Sequence, residues 1–96
     1  MFKKKRLPTY EILVSGRVQG IGYRWFVREQ AQVFNVKGSV RNLFTGQVKV
    51  IVQGNLEELE PFIDMLKLGN GHSTTEKVEV NEIQTEKIYG GFTIEH

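Results

Sequence analysis

A chain of 96 residues with 40% apolar content makes one domain that buries roughly 60–70% of its unfolded surface, and leaves no room for a second. With no cysteine and only His72 and His96 as histidines, it has no disulfide, no thiolate nucleophile and no basis for a histidine-built metal cluster, so cysteine and metal catalysis are poor readings. The formal charge is +2, yet Lys3, Lys4, Lys5 and Arg6 are four of its 13 cations, and the remaining 9 face 11 carboxylates, a net of −2; the basicity belongs to the tail and does not point to nucleic acid.

Residues 1–8 read as a basic, flexible tail ahead of a domain spanning 9–96. They lack the apolar core of a secretory signal, and no stretch approaches the ~20 apolar residues that cross a bilayer, so a cytoplasmic protein without membrane contact is expected. Residues 10–15, Tyr-Glu-Ile-Leu-Val-Ser, are rich in strand formers and stop at Gly16, predicting a first strand. Next comes Gly-Arg-Val-Gln-Gly-Ile-Gly-Tyr-Arg over 16–24, with glycines at 16, 20 and 22 and an arginine at the end. Glycines let consecutive backbone N–H groups turn inward, a following helix N-terminus adds partial positive charge, and arginine offers a planar fork of donors. This is the layout of an anion cradle.

Tyr23, Phe26, Val27, Ala31 and Phe34 then recur at spacings of three and four, which predicts a helix over about 22–34. Residues 36–42 and 47–53 are short strand-like runs joined by Leu-Phe-Thr-Gly, a hairpin. Leu59, Phe62, Ile63 and Leu66 mark a second helix stopped by Gly69. Pro61 lies too deep for an N-cap at Asn55, so a start near Glu57 or Glu58, or a distorted first turn, is expected. Val78 and Val80, with Ile83, predict a further strand, and residues 92–94 a short last one. The order β-α-β-β-α-β plus a short C-terminal strand predicts an α+β, ferredoxin-like split β-α-β sandwich, an antiparallel sheet with two helices on one face.

In that topology the end of the first strand, the hairpin and the loop after the second helix share one end of the sheet. Asn42 therefore faces the 16–24 loop, with residues 69–75 nearby. The loop also lies in the positive half of the body. Residues 12–56 carry Arg17, Arg24, Arg28, Lys37, Arg41 and Lys49 against Glu29 alone, whereas 57–96 hold three lysines and nine carboxylates.

Residues 16–24, followed by Gly-Ser-Val-Arg-Asn over 38–42, Gly-Gln-Val over 46–48 and Gly54, resemble the acylphosphatase family across about 10–94. The resemblance implies hydrolysis of acyl phosphates to a carboxylate and inorganic phosphate, with no metal, no cofactor and no covalent intermediate. It implies that Arg24 binds the phosphate, that Asn42 orients the attacking water, and that the backbone N–H groups of Gln19, Gly20, Ile21, Gly22 and Tyr23 form the phosphate loop. Two positions depart from the family pattern: Ser39 replaces a customary aromatic residue, and Asn70-Gly71-His72 replaces a Gly-Pro context. They bear on the acyl-side wall or on local stability.

Taken alone, a glycine loop is as readily a tight turn as an anion site, and an asparagine before a hairpin is more often a turn residue; the pair of motifs carries the reading. Arg17, Arg28 and Arg41 read as solvated surface charges, Trp25 as partial packing, and His72 as a bystander near the active end. A nucleic-acid-binding module of this topology would stack bases on aromatics of the third strand, and Gln-Val-Lys-Val-Ile-Val-Gln has none. A phosphate sensor without catalysis has no use for Asn42. The expected partners are a small acyl phosphate and inorganic phosphate, acting on a monomer.

Overall fold

The computed structural model describes residues 7–96. Its elements are β1 (Thr9–Arg17), α1 (Tyr23–Val33), β2 (Lys37–Asn42), β3 (Val48–Gln53), α2 (Leu56–Leu68), β4 (Thr74–Ile83) and β5 (Phe92–Ile94). The basic run at residues 3–6, and with it most of the expected flexible tail, lies outside the described residues. No helix among the described residues is long and apolar enough to cross a membrane.

The five strands form one sheet in the order β4-β1-β3-β2-β5. Alternation decides its faces. Ile12 and Val14 of β1, Val40 of β2, and Val48, Val50 and Val52 of β3 are all fully buried, and the register places Val50 between Ile12 and Val40. They share one core with Tyr23, Val27 and Ala31 of α1 and Leu59, Phe62, Ile63 and Leu66 of α2, so both helices cover the same face, each through the one apolar stripe that its 3.6-residue spacing makes. Each of the buried Val, Ile, Leu and Phe side chains contributes about 1.5–3 kcal/mol relative to exposure.

The expected sandwich is thus present, with one addition. β1 pairs antiparallel with β3 and β4, and β2 antiparallel with β3, but β5 pairs parallel with β2, which makes the sheet mixed. The cause is topological. β4 ends opposite Thr9, at the end of the sheet where β2 begins. A chain that crosses there to the far edge has to run in the direction of β2. Gln53 holds the crossing segment: its Nε2 donates to Lys87 O at 2.6 Å, and its Oε1 accepts from Tyr89 N at 2.9 Å.

Of the two expectations drawn from Pro61, a later start or a distorted first turn, α2 takes the second. Asn55 is the N-cap and the helix begins at Leu56, with Pro61 inside it. The N–H groups of Glu58 and Leu59 both donate to Asn55 O, at 3.0 and 3.1 Å, which tightens the first turn. The bond Pro61 cannot make would have gone to the carbonyl of Glu57, an exposed residue. Burial of Leu59 and Phe62 outweighs that loss.

Candidate active site

The ends of β1, β2 and α2 and the start of α1 meet at the end of the sheet opposite the β4–β5 crossing. Between β1 and α1, Gly20 and Gly22 adopt φ values of 75° and 77°, left-handed backbone that L side chains rarely take. A Cβ at either would meet nothing within 4 Å, so it is the backbone turn and not crowding that requires glycine. The space beside them remains open to a ligand. Gly22 is also the N-cap of α1, with no side-chain cap, so the first N–H groups of an 11-residue helix stay available at its positive end.

Three side chains fasten this loop. Gln19 Nε2 donates to Leu43 O and Gln47 O, each at 2.8 Å, tying the loop to the β2–β3 hairpin. Asn70 Nδ2 donates to Ile21 O at 3.0 Å, while its Oδ1 accepts from the N–H groups of His72 and Ser73, each at 2.9 Å. The Asn70-Gly71-His72 departure is therefore a turn that braces the cradle from the α2 side. Tyr23 is buried, and its hydroxyl donates to Leu66 O at 2.8 Å, joining the first residue of α1 to the last turn of α2.

Burial pushes the Tyr23 phenol well above its ordinary value of 10.0, so it is no acid or base for chemistry near neutral pH. The folded chain keeps this proton where the unfolded chain releases it. Its contribution is whole below about pH 10 and is lost as pH rises above that, at up to about 1.4 kcal/mol per pH unit. Urea unfolding of Tyr23→Phe should show a cost of about 1 kcal/mol at neutral pH, for the lost hydrogen bond. The variant should then lose less stability than wild type above about pH 10. Parallel alkaline losses in the two proteins would contradict the assignment.

Arg24 and Asn42 meet across the loop. A cavity of about 150 Å³ is lined by Gly20, Gly22, Tyr23, Arg24, Trp25 and Asn42, with Val18. Arg24 Nη1 donates to Glu95 O at 2.9 Å and lies 3.4 Å from His96 Nδ1. The Glu95 N–H in turn donates to Val40 O at 2.8 Å, so the arginine leans on a strand extension that is itself fixed to β2. Asn42 is the last residue of β2. Its Oδ1 is the one buried side-chain polar atom among the described residues that has no hydrogen-bond partner, an arrangement that costs about 1–3 kcal/mol in a folded protein.

Of the residues singled out in the sequence, Arg24, Asn42, Gly20, Gly22 and Tyr23 border one cavity, whereas Gln19 and Ile21 do not line it. Gln19 spends its side chain on the hairpin, and the structure gives it a bracing part that its place in the motif does not reveal. Ser39 is buried on the opposite face of the sheet, opposite Ile51 and Thr93, so it does not form the acyl-side wall. His72 is exposed in the Asn70 turn. Trp25, read as partial packing, is 60% exposed, with the Arg28 guanidinium 5.4 Å from its ring centre. Arg28, read as a solvated charge, is half-buried there, while Arg17 and Arg41 are exposed. Sequence reasoning missed Glu95, because its contact with Arg24 is made by a backbone carbonyl that leaves no side-chain signal.

Comparison with known proteins gives a consistent family. The acylphosphatase family model matches residues 10–94. An acylphosphatase of Treponema denticola is 35% identical over 92 residues, covering 96% of this chain and 97% of the relative. One of Thermus thermophilus is 42% identical over 74 residues, covering 77% and 84%. The crystal structure of acylphosphatase from Bacillus subtilis superimposes with a TM-score of 0.86 at 31% identity, covering 94% of this chain and all of that one.

Proposed function

The chain belongs to the acylphosphatase family and is an enzyme that hydrolyses acyl phosphates; we propose that it does so without a metal, holding the phosphate with a backbone loop and Arg24 and aiming water with Asn42. The N–H groups of Gln19, Gly20, Ile21, Gly22 and Tyr23 and the guanidinium fork bind the phosphoryl oxygens. This withdraws charge from them and opens phosphorus to attack. A water that donates to Asn42 Oδ1 is held with its lone pair toward phosphorus. Its oxygen forms the new P–O bond while the bond to the acyl oxygen breaks, and the carboxylate leaves with that electron pair. The water proton passes to a phosphate oxygen of the substrate, since none of the residues lining the cavity is a carboxylate, a histidine or a lysine. A carboxylate is already a good leaving group, so positioning supplies most of the catalysis.

Two observations carry this reading: Asn42 lines a cavity with Gly20, Gly22 and Arg24, and its Oδ1 is buried without a hydrogen-bond partner. An acceptor that the protein itself leaves unpaired beside an array of donors suits a water that must give a hydrogen bond on one side and attack on the other. A phosphate sensor needs the donors but not this acceptor. Purified protein should release inorganic phosphate from benzoyl phosphate at an undiminished rate in excess EDTA. A rate that falls to the uncatalysed level with EDTA and returns with an added divalent cation would overturn the metal-free mechanism.

A further inference from the structure

A second groove, of about 340 Å³, runs between α1 and β5 and is walled by Trp25, Arg28, Phe92, Ile94 and His96. It adjoins the cradle, because Arg24 and Trp25 line both. Asn42 borders the cradle but not this groove; it also lines a further hollow with Gln19, Arg41 and Phe44, and His96 stands between that hollow and the groove, lining both. In an in-line displacement the attacking water and the departing group lie on opposite sides of phosphorus. With the water at Asn42, the acyl group leaves on the side of the groove between α1 and β5.

Arg28 gives that groove a chemical preference. It is half-buried, laid over the Trp25 ring, and no carboxylate among the described residues stands within ion-pair distance of it. A guanidinium held on an aromatic face has less rotamer freedom to lose when it meets an anion. Arg24 and Arg28 are one turn apart on α1, about 6 Å along the axis, a span that a short dicarboxylic acyl group bridges.

Resting on the hydrolytic reading above, we propose that this groove seats the acyl group and that Arg28 recognises a carboxylate at its far end. The preferred substrates are then acyl phosphates of dicarboxylic acids, with Trp25, Phe92 and Ile94 covering the carbon skeleton between the two charges.

The test compares 3-carboxybenzoyl phosphate with 3-methylbenzoyl phosphate, which share a ring and differ in the distal charge. Wild type should favour the carboxylated substrate by about tenfold in kcat/KM, mostly through KM, the scale of one charge-assisted hydrogen bond discounted for partial exposure. The ratio should fall to near one in Arg28→Gln, recover in part in Arg28→Lys, and persist in Arg17→Gln, which removes the same charge outside the groove. A wild-type ratio near one, a ratio kept by Arg28→Gln, or an equal fall in Arg17→Gln overturns the proposal. Calorimetric binding of 3-carboxybenzylphosphonate and 3-methylbenzylphosphonate to the same four proteins reads the groove independently of turnover. If neither acyl phosphate is hydrolysed, the mechanism fails, and the phosphonate preference and its loss in Arg28→Gln still decide the groove.

Discussion

Arg24→Ala should lower kcat/KM for benzoyl phosphate by about 10³-fold or more, the scale on which an arginine stabilises a transferring phosphoryl group, and should abolish competitive inhibition by inorganic phosphate. Both losses follow from one geometry. The guanidinium is held by Glu95 O and Arg24 lines the cavity with Gly20 and Gly22, so in the proposed mechanism it serves ground-state phosphate and transition state alike. Stability should change by no more than about 1 kcal/mol, because the bond to Glu95 O is part-buried and water can take the donor's place. Arg24→Lys should recover little. A single ammonium cannot reach the Glu95 carbonyl and grip two phosphoryl oxygens together, as a planar fork can. Steady-state kinetics with phosphate as inhibitor, alongside urea unfolding, separates these effects. Retained phosphate inhibition in a folded Arg24→Ala protein would remove the arginine from the binding role.

The site is stiff where it must be. Gln19, Asn70 and Tyr23 tie the loop to the β2–β3 hairpin, to the turn after α2 and to the last turn of α2 itself. None of these bonds needs to change when phosphate binds. Donors held in place in advance cost no reorganisation at the moment of reaction, which is what makes a backbone cradle effective.

Much of this was legible in the sequence where the signal is local. The 16–24 loop, the hairpin around Gly46 and the helical spacing of Tyr23, Val27 and Ala31 each state their conformation within a few residues, and the element order then brings Asn42 to the loop. What was not legible depends on partners distant in the chain. β4 extends back to Thr74, although Thr74, Thr75, Glu76 and Lys77 show no apolar period, because an edge strand with a bulge opposite Ser15 and Gly16 needs backbone pairing more than burial. The parallel pairing of β5 depends on where β4 ends and not on the composition of three residues. The start of α2 at Leu56 turned on packing overriding a proline. Trp25 reads in the sequence as partial packing and Arg28 as a solvated charge; only the placing of α1 beside β5 sets them along one groove.

Asn42→Ala should separate catalysis from both binding and stability. Turnover of benzoyl phosphate should fall by about 10²–10³-fold, as when one fixed hydrogen-bonding group is removed from a preorganised site, while inhibition by inorganic phosphate stays close to wild type. The folded state should be no weaker. Oδ1 makes no hydrogen bond within the protein, so its deletion breaks none. It instead removes a buried, unsatisfied acceptor, and midpoints of urea unfolding should be unchanged or raised by up to about 1–3 kcal/mol equivalent. Asn42→Asp tests the same point from the other side: it keeps an acceptor oxygen but sets a negative charge against the bound phosphate, so it should lose phosphate affinity as well as turnover. If Asn42→Ala weakens phosphate inhibition as strongly as Arg24→Ala does, the asparagine is a binding group and the water is aimed by something else. If the variant is inactive, binds phosphate and is more stable than wild type, then the unpartnered oxygen is strain kept for the water it aims.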